Sequence, residues 1–86
     1  GELMQVLYFG WVRQRIGVAG EEIELPAGVV DVRGLVAWLK TRGPAYEAGL
    51  ANLAQVRVAV NQELATLDAK IAKGDEVALF PPMTGG

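Results

Sequence analysis

Eighty-six residues with 51% hydrophobic and 21% charged side chains describe one folded domain, near the lower end of what buries its own core without staples. Cysteine and histidine are both absent. That excludes disulfides, a thiolate nucleophile, the commonest general base and the commonest metal ligand, and it disfavours a self-contained enzyme. A net charge of −2 offers no basic surface for nucleic acid. No apolar run nears the roughly 18 residues of a membrane helix and no cleavable leader is visible, so a cytoplasmic protein is expected. Gly1-Glu2-Leu3, ahead of Met4, reads as a cloning remnant, which leaves 4–80 as the domain and 81–86 as a tail.

Met4 to Phe9 is apolar and aromatic apart from Gln5, the pattern of a central strand buried on both faces. Gly10 to Ile16 places Trp11, Val12 and Ile16 at helical spacing, and Gly17 and Gly20 end that short helix. Glu22-Ile23-Glu24-Leu25 alternates as a strand with Ile23 and Leu25 inward. The glutamates at 21, 22 and 24 read as the solvated face of an edge hairpin in preference to an acid/base or metal cluster.

Asp31 is an N-cap, and Val32, Leu35, Val36 and Leu39 follow at i, i+3, i+4 and i+7, which predicts the main helix. Gly34 within it marks either a close contact or a tolerated defect costing about 1 kcal/mol against alanine. Gly43 and Pro44 stop the helix. Trp38 lies off the central stripe and reads as core-edge, with a docking aromatic as the other possibility. Tyr46, Leu50 and Leu53 recur at helical spacing, predicting a second short helix or turn. Val56, Val58 and Val60 then line one face of a strand, Asn61-Gln62-Glu63 is a turn, and Leu64 to Leu67 returns. After a Gly74-Asp75 turn, Glu76 to Phe80 forms the last strand, with Val77 and Leu79 on one face and Ala78 and Phe80 on the other.

The segment beyond that strand is the most informative. Pro81 and Pro82 have no N–H to continue a ladder and hold the chain extended. Residues 81 to 86, at about 3.1 to 3.5 Å each, reach roughly 20 Å beyond the fold. Gly85 and Gly86 lack Cβ atoms, so a narrow channel can close around the backbone. The delivered group is a terminal carboxylate, a poor electrophile until activated. A Gly-Gly end alone reads as a flexible terminus or a cloning remnant; preceded by a strand, two prolines and the spacer Met83-Thr84, it reads as functional.

Three stretches together, Val58-Ala59-Val60-Asn61-Gln62-Glu63, Lys73 to Pro82, and Gly85-Gly86, resemble the ubiquitin-like sulfur carriers, in the branch of the molybdopterin synthase small subunit. Val6-Leu7-Tyr8-Phe9 with Arg13, and Glu21 to Pro26, resemble that family's opening strands, so the likeness runs from Met4 to the end. The resemblance implies an α+β, ubiquitin-like β-grasp fold. A mixed sheet of about five strands packs on one main helix, the first and last strands lie parallel at its centre, and a Gly-Gly tail projects. It also implies an apolar docking patch at Phe9, Leu64 and Phe80, with Arg13 as polar anchor. The residues themselves leave Phe9 open as a core residue, whereas Phe80, sharing its face with Glu76, is hard to place in a core.

The resemblance further implies a mechanism, and an enzymatic role only as the small subunit of a sulfurtransferase complex. An adenylyltransferase related to ubiquitin-activating enzymes would use ATP to adenylate Gly86, and a persulfide donor would convert it to a thiocarboxylate. Pro81, Pro82, Met83, Thr84 and Gly85 would carry that group into the large subunit of molybdopterin synthase. There it would give sulfur to a cyclic pyranopterin precursor, two loaded carriers supplying each dithiolene within a heterotetramer. No cofactor, metal ion, nucleic acid or membrane is expected to bind this chain. A carrier for thiamin synthesis and a protein modifier are the alternatives.

Overall fold

Met4, Val6 and Tyr8 alternate along the first strand and are fully buried, and the sheet is built outward from them. The computed structural model describes residues 2–82. The sequence-based expectations for Met83, Thr84, Gly85 and Gly86 lie outside the described residues. In chain order the elements are β1 (Met4–Tyr8), α1 (Gly10–Ile16), β2 (Gly20–Ile23), α2 (Val32–Lys40), α3 (Pro44–Gly49), a 3₁₀ turn (Leu53–Gln55), β3 (Arg57–Val60), β4 (Glu63–Ala65) and β5 (Glu76–Phe80).

The five strands form one mixed sheet in the order β2-β1-β5-β3-β4. β1 and β5 run parallel with Val6 opposite Val77 and Tyr8 opposite Leu79. β5 is flanked on its other side by antiparallel β3, where Val58 faces Leu79 and Val60 faces Val77. This is the expected β-grasp arrangement, and it makes β5, the strand that leads into the tail, the middle strand of the sheet.

One face of the sheet is covered. Val6, Tyr8, Val77, Leu79 and Val58 pack against Val32, Leu35, Val36 and Leu39 of α2 and Val12 and Ile16 of α1. Each fully buried side chain of this kind stabilises by on the order of 1.5–3 kcal/mol. Among the described residues the opposite face has no covering layer: Gln5 is exposed and Leu7 half-buried. The expectation that β1 is buried on both faces is therefore corrected, because all the helices lie on one side.

α2 is the longest helix and begins as expected. The Asp31 carboxylate accepts from the Gly34 N–H at 2.8 Å, and a Cβ on Gly34 would stand 3.2 Å from that carboxylate oxygen. Gly34 thus marks a close contact. Two more N–H groups of the first turn are satisfied by a passing chain: Val32 donates to the Ala69 carbonyl and Arg33 to the Leu67 carbonyl. α2 ends at Lys40 with Thr41 as its C-cap, before Gly43, which instead caps α3. Trp38 is partly buried against the core.

The turn between β3 and β4 is tighter than Asn61-Gln62-Glu63. Val60 pairs with Glu63, so Asn61 (φ 51°) and Gln62 (φ 70°) alone make a two-residue turn of the left-handed type that suits a twisted hairpin. β4 accordingly starts and ends earlier than Leu64 to Leu67. β2 is shifted the same way: it begins at Gly20 and ends at Ile23, with Leu25 beyond the ladder.

Candidate functional site

Sheet register sorts the uncovered face into three rows. The first carries Glu22, Gln5 and Glu76 side by side. The second carries Gly20, Leu7, Ala78, Ala59 and Leu64 in succession across all five strands. The third, at the end from which the tail leaves, pairs Phe80 with Arg57. Phe9, one residue beyond Tyr8 on β1, falls on the same face by alternation, and its N–H donates to the Leu79 carbonyl at 3.1 Å.

Three of the four residues in the expected docking patch therefore share one face. Leu64 is 82% exposed and Phe9 48% exposed, while Phe80 is half-buried. The core alternative for Phe9 is thus overturned: the inward position at this end of β1 belongs to Tyr8. Arg13 is exposed on α1, one turn after Phe9, and its N–H donates to the Phe9 carbonyl. A row of alanines flanked by Leu7 and Leu64 is flat, apolar and free of competing charge, a surface another chain can cover.

The root of the tail is fixed on one side by a glycine. Gly10 has φ 58°, and a Cβ placed on it would lie 2.6 Å from the Pro81 Cγ and 2.8 Å from its Cδ. The first proline is thereby seated against the start of α1. At the other end of β5, Asn61 clamps the strand. Its N–H donates to the Glu76 carbonyl at 2.8 Å and its side-chain oxygen accepts from the Glu76 N–H at 3.0 Å. Its amide nitrogen also reaches Asp75 at 3.2 Å. The sequence marks Asn61 as a turn residue only; its second role needs the neighbouring strand to be known.

Glu21 is the largest departure from the expected surface. It faces the helix side of the sheet, opposite Val6, and accepts three hydrogen bonds: from the Tyr8 and Tyr46 hydroxyls at 2.8 Å each and from Arg42 at 2.7 Å. Burial by itself raises its pKa, but hydrogen bonds from Tyr46, Arg42 and Tyr8 outweigh that and hold the carboxyl below its ordinary range. Tyr8 is pushed up, first by burial and then by its bond to that carboxylate, and Tyr46 follows for the same reasons. Only Glu22 and Glu24 lie on the wet side. The cluster ties β1, β2, the end of α2 and α3 together and lies on the far side of the sheet from Leu64 and Phe80.

An open groove of about 250 Å³ lies beside β3 and β4, lined by Leu53, Val56, Arg57, Val58, Ala65, Thr66 and Leu67. Arg57 is its one charged residue, so it offers no acid/base pair.

Comparison with known proteins agrees with this geometry. The chain is 38% identical over 84 residues to a molybdopterin synthase sulfur carrier subunit of Mycobacterium tuberculosis, covering 96% of each. Among solved structures, a molybdopterin converting factor subunit 1 from Pyrococcus furiosus superposes with a TM-score of 0.76 at 35% identity, over 96% of this chain and 100% of that one. A chain from the complex of subunits 1 and 2 of molybdopterin-converting factor from Helicobacter pylori matches with a TM-score of 0.63 at 26% identity, over 98% and 99%. The profile of the ThiS family matches residues 6–86, tail included, and the chain belongs to that family.

Proposed function

We propose that this chain is the sulfur-carrier small subunit of molybdopterin synthase. The observation that carries this reading is the tail root. The central strand β5 ends at Phe80 on an uncovered apolar face, Pro81 and Pro82 stop the ladder, and the sequence Met83-Thr84-Gly85-Gly86 follows within the family match. A body anchored at its centre holds the base of the tail still, so only the last residues need guiding.

The terminal carboxylate must first become an electrophile. An activating enzyme joins Gly86 to AMP, releasing pyrophosphate from ATP. The outer sulfur of a donor persulfide displaces AMP, and thiol reduction of the resulting acyl disulfide leaves a thiocarboxylate. Docked on the large subunit through Phe9, Leu64 and Phe80, with Arg13 as polar anchor, the chain delivers that sulfur along Pro81, Pro82, Met83, Thr84 and Gly85 to the pyranopterin precursor. Holding a nucleophile in attack geometry supplies about 7–11 kcal/mol of a barrier, and this is the subunit's contribution. Acid and base groups come from the large subunit; two carriers serve each large-subunit dimer, in the cytoplasm.

The test is reconstitution from chemically thiocarboxylated chain, large subunit and precursor, with the dithiolene read as its fluorescent oxidised derivative. Product that depends on the thiocarboxylate supports the reading. A thiocarboxylate verified by mass that yields no product moves the pathway to thiamin or another acceptor, and recovery of the chain linked to lysines makes it a modifier. Deleting Gly86 abolishes transfer without shifting the Tm; a fully active deletion sinks the role of the tail.

A further inference from the structure

The apolar row of the uncovered face lies between charges of opposite sign. Glu22 and Glu76, with Gln5 between them, form the row farthest from the tail, and Arg57 sits beside Phe80 at the tail root. Among the described residues the ion pairs are Arg33 with Asp68 and Arg42 with Glu21, so Glu22, Glu76 and Arg57 carry none. Arg57 spends one N–H on the Ala54 carbonyl at 3.0 Å, which leaves most of its guanidinium donors free.

Covering this face removes water from all three charges, and an ionised group desolvated without a partner is strongly unfavourable. We propose that the face is a charge-polarised docking surface. Arg57 at the tail end and Glu22 and Glu76 at the far end set the orientation in which the large subunit is engaged. Because it rests on the carrier reading, this commits the partner's chemistry. A carboxylate stands near the mouth of the channel that takes the tail, opposite Arg57, and a lysine or arginine stands opposite Glu22 and Glu76.

The arrangement serves a geometric need. The row of leucine and alanine carries little directional information of its own, the marks of direction being Phe9 and Phe80 at the tail end, and only one orientation aims Pro81 and Pro82 into the channel. Opposite charges at the two ends favour that orientation during encounter and repel the reverse one, an effect expressed mainly in association rate and its salt dependence.

The experiment measures association of the chain with the purified large subunit of the same organism by stopped flow, across ionic strength. Arg57→Glu and Glu76→Arg are each expected to slow association about tenfold at low salt, with the gap closing to within about twofold near 1 M, where screening extends only ~3 Å. Arg57→Lys, which keeps the charge, stays close to wild type, and Tm values remain within a few degrees. Charge reversals that leave the low-salt rate unchanged, speed it, or slow it equally at all salts overturn the polarity while the carrier reading stands. A wild-type chain that does not bind the large subunit at all overturns both.

Discussion

Gly10 and Pro81 are packed so closely that a single methyl group on Gly10 would overlap the proline ring. The contact joins the start of α1 to the first residue of the tail, and it gives the left-handed backbone of Gly10 a purpose beyond the turn itself. A β-branched side chain meets both obstacles. Gly10→Val is expected to destabilise the fold by about 2–4 kcal/mol, from the left-handed conformation and from overpacking together. Urea denaturation checks this; unchanged stability would show that Pro81 is free to move aside.

Leu64 is already in water, so its truncation separates binding from folding. Leu64→Ala is expected to change stability by less than about 0.5 kcal/mol. Phe80→Ala and Leu64→Ala are each expected to weaken affinity for the large subunit by about 1–3 kcal/mol, roughly five- to 150-fold in Kd. Titration calorimetry reads this directly, and an unchanged Kd for either variant removes that residue from the interface.

Glu21 sets the acid limit of the fold. Its folded pKa is lowered below the ordinary value near 4.5, so its stabilisation is present above that value and is lost as pH falls through the lower folded value. Glu21→Gln is expected to cost about 1–3 kcal/mol at pH 7 and to flatten the decline of stability below about pH 4. Parallel acid limbs for the two proteins would show that the carboxylate's three bonds add nothing to its ionised form.

The chain has two tyrosines, Tyr8 and Tyr46, and both donate to Glu21. Both phenols are raised above 10.0, so their neutral forms stabilise the fold below that pH and the contribution fades as pH rises through the folded values. Native protein near pH 10 is expected to show little tyrosinate absorbance, with a step on unfolding. Half-titrated tyrosine in the native state at that pH would contradict the network.

Short-range chemistry makes much of this molecule legible. Asp31 caps the main helix where the i, i+3, i+4, i+7 stripe begins, and Gly17, with φ 100°, ends the first helix as its sequence predicts. The uncovered face is readable in the sequence only at Phe80, whose neighbours along β5 are known. Phe9 is ambiguous there because its exposure depends on which sheet face the helices cover, a long-range fact. Glu21 is misplaced by pattern alone for a related reason. It follows Gly20 on an edge strand and looks solvated, yet Tyr8, Arg42 and Tyr46 come from three other elements to meet it. Alternation shows where its neighbours point; it gives no sign that the inward glutamate has partners.

The parallel pairing of β1 with β5 also decides how the molecule bears load. Tension applied at Pro81 runs along β5, between β1 on one side and β3 on the other. The ladder bonds on both sides are then strained together in shear, where an edge strand would be peeled open bond by bond. In the carrier role proposed above, a partner that takes the tail would pull along this same direction. Here the handle is attached to the strand that the rest of the domain holds hardest.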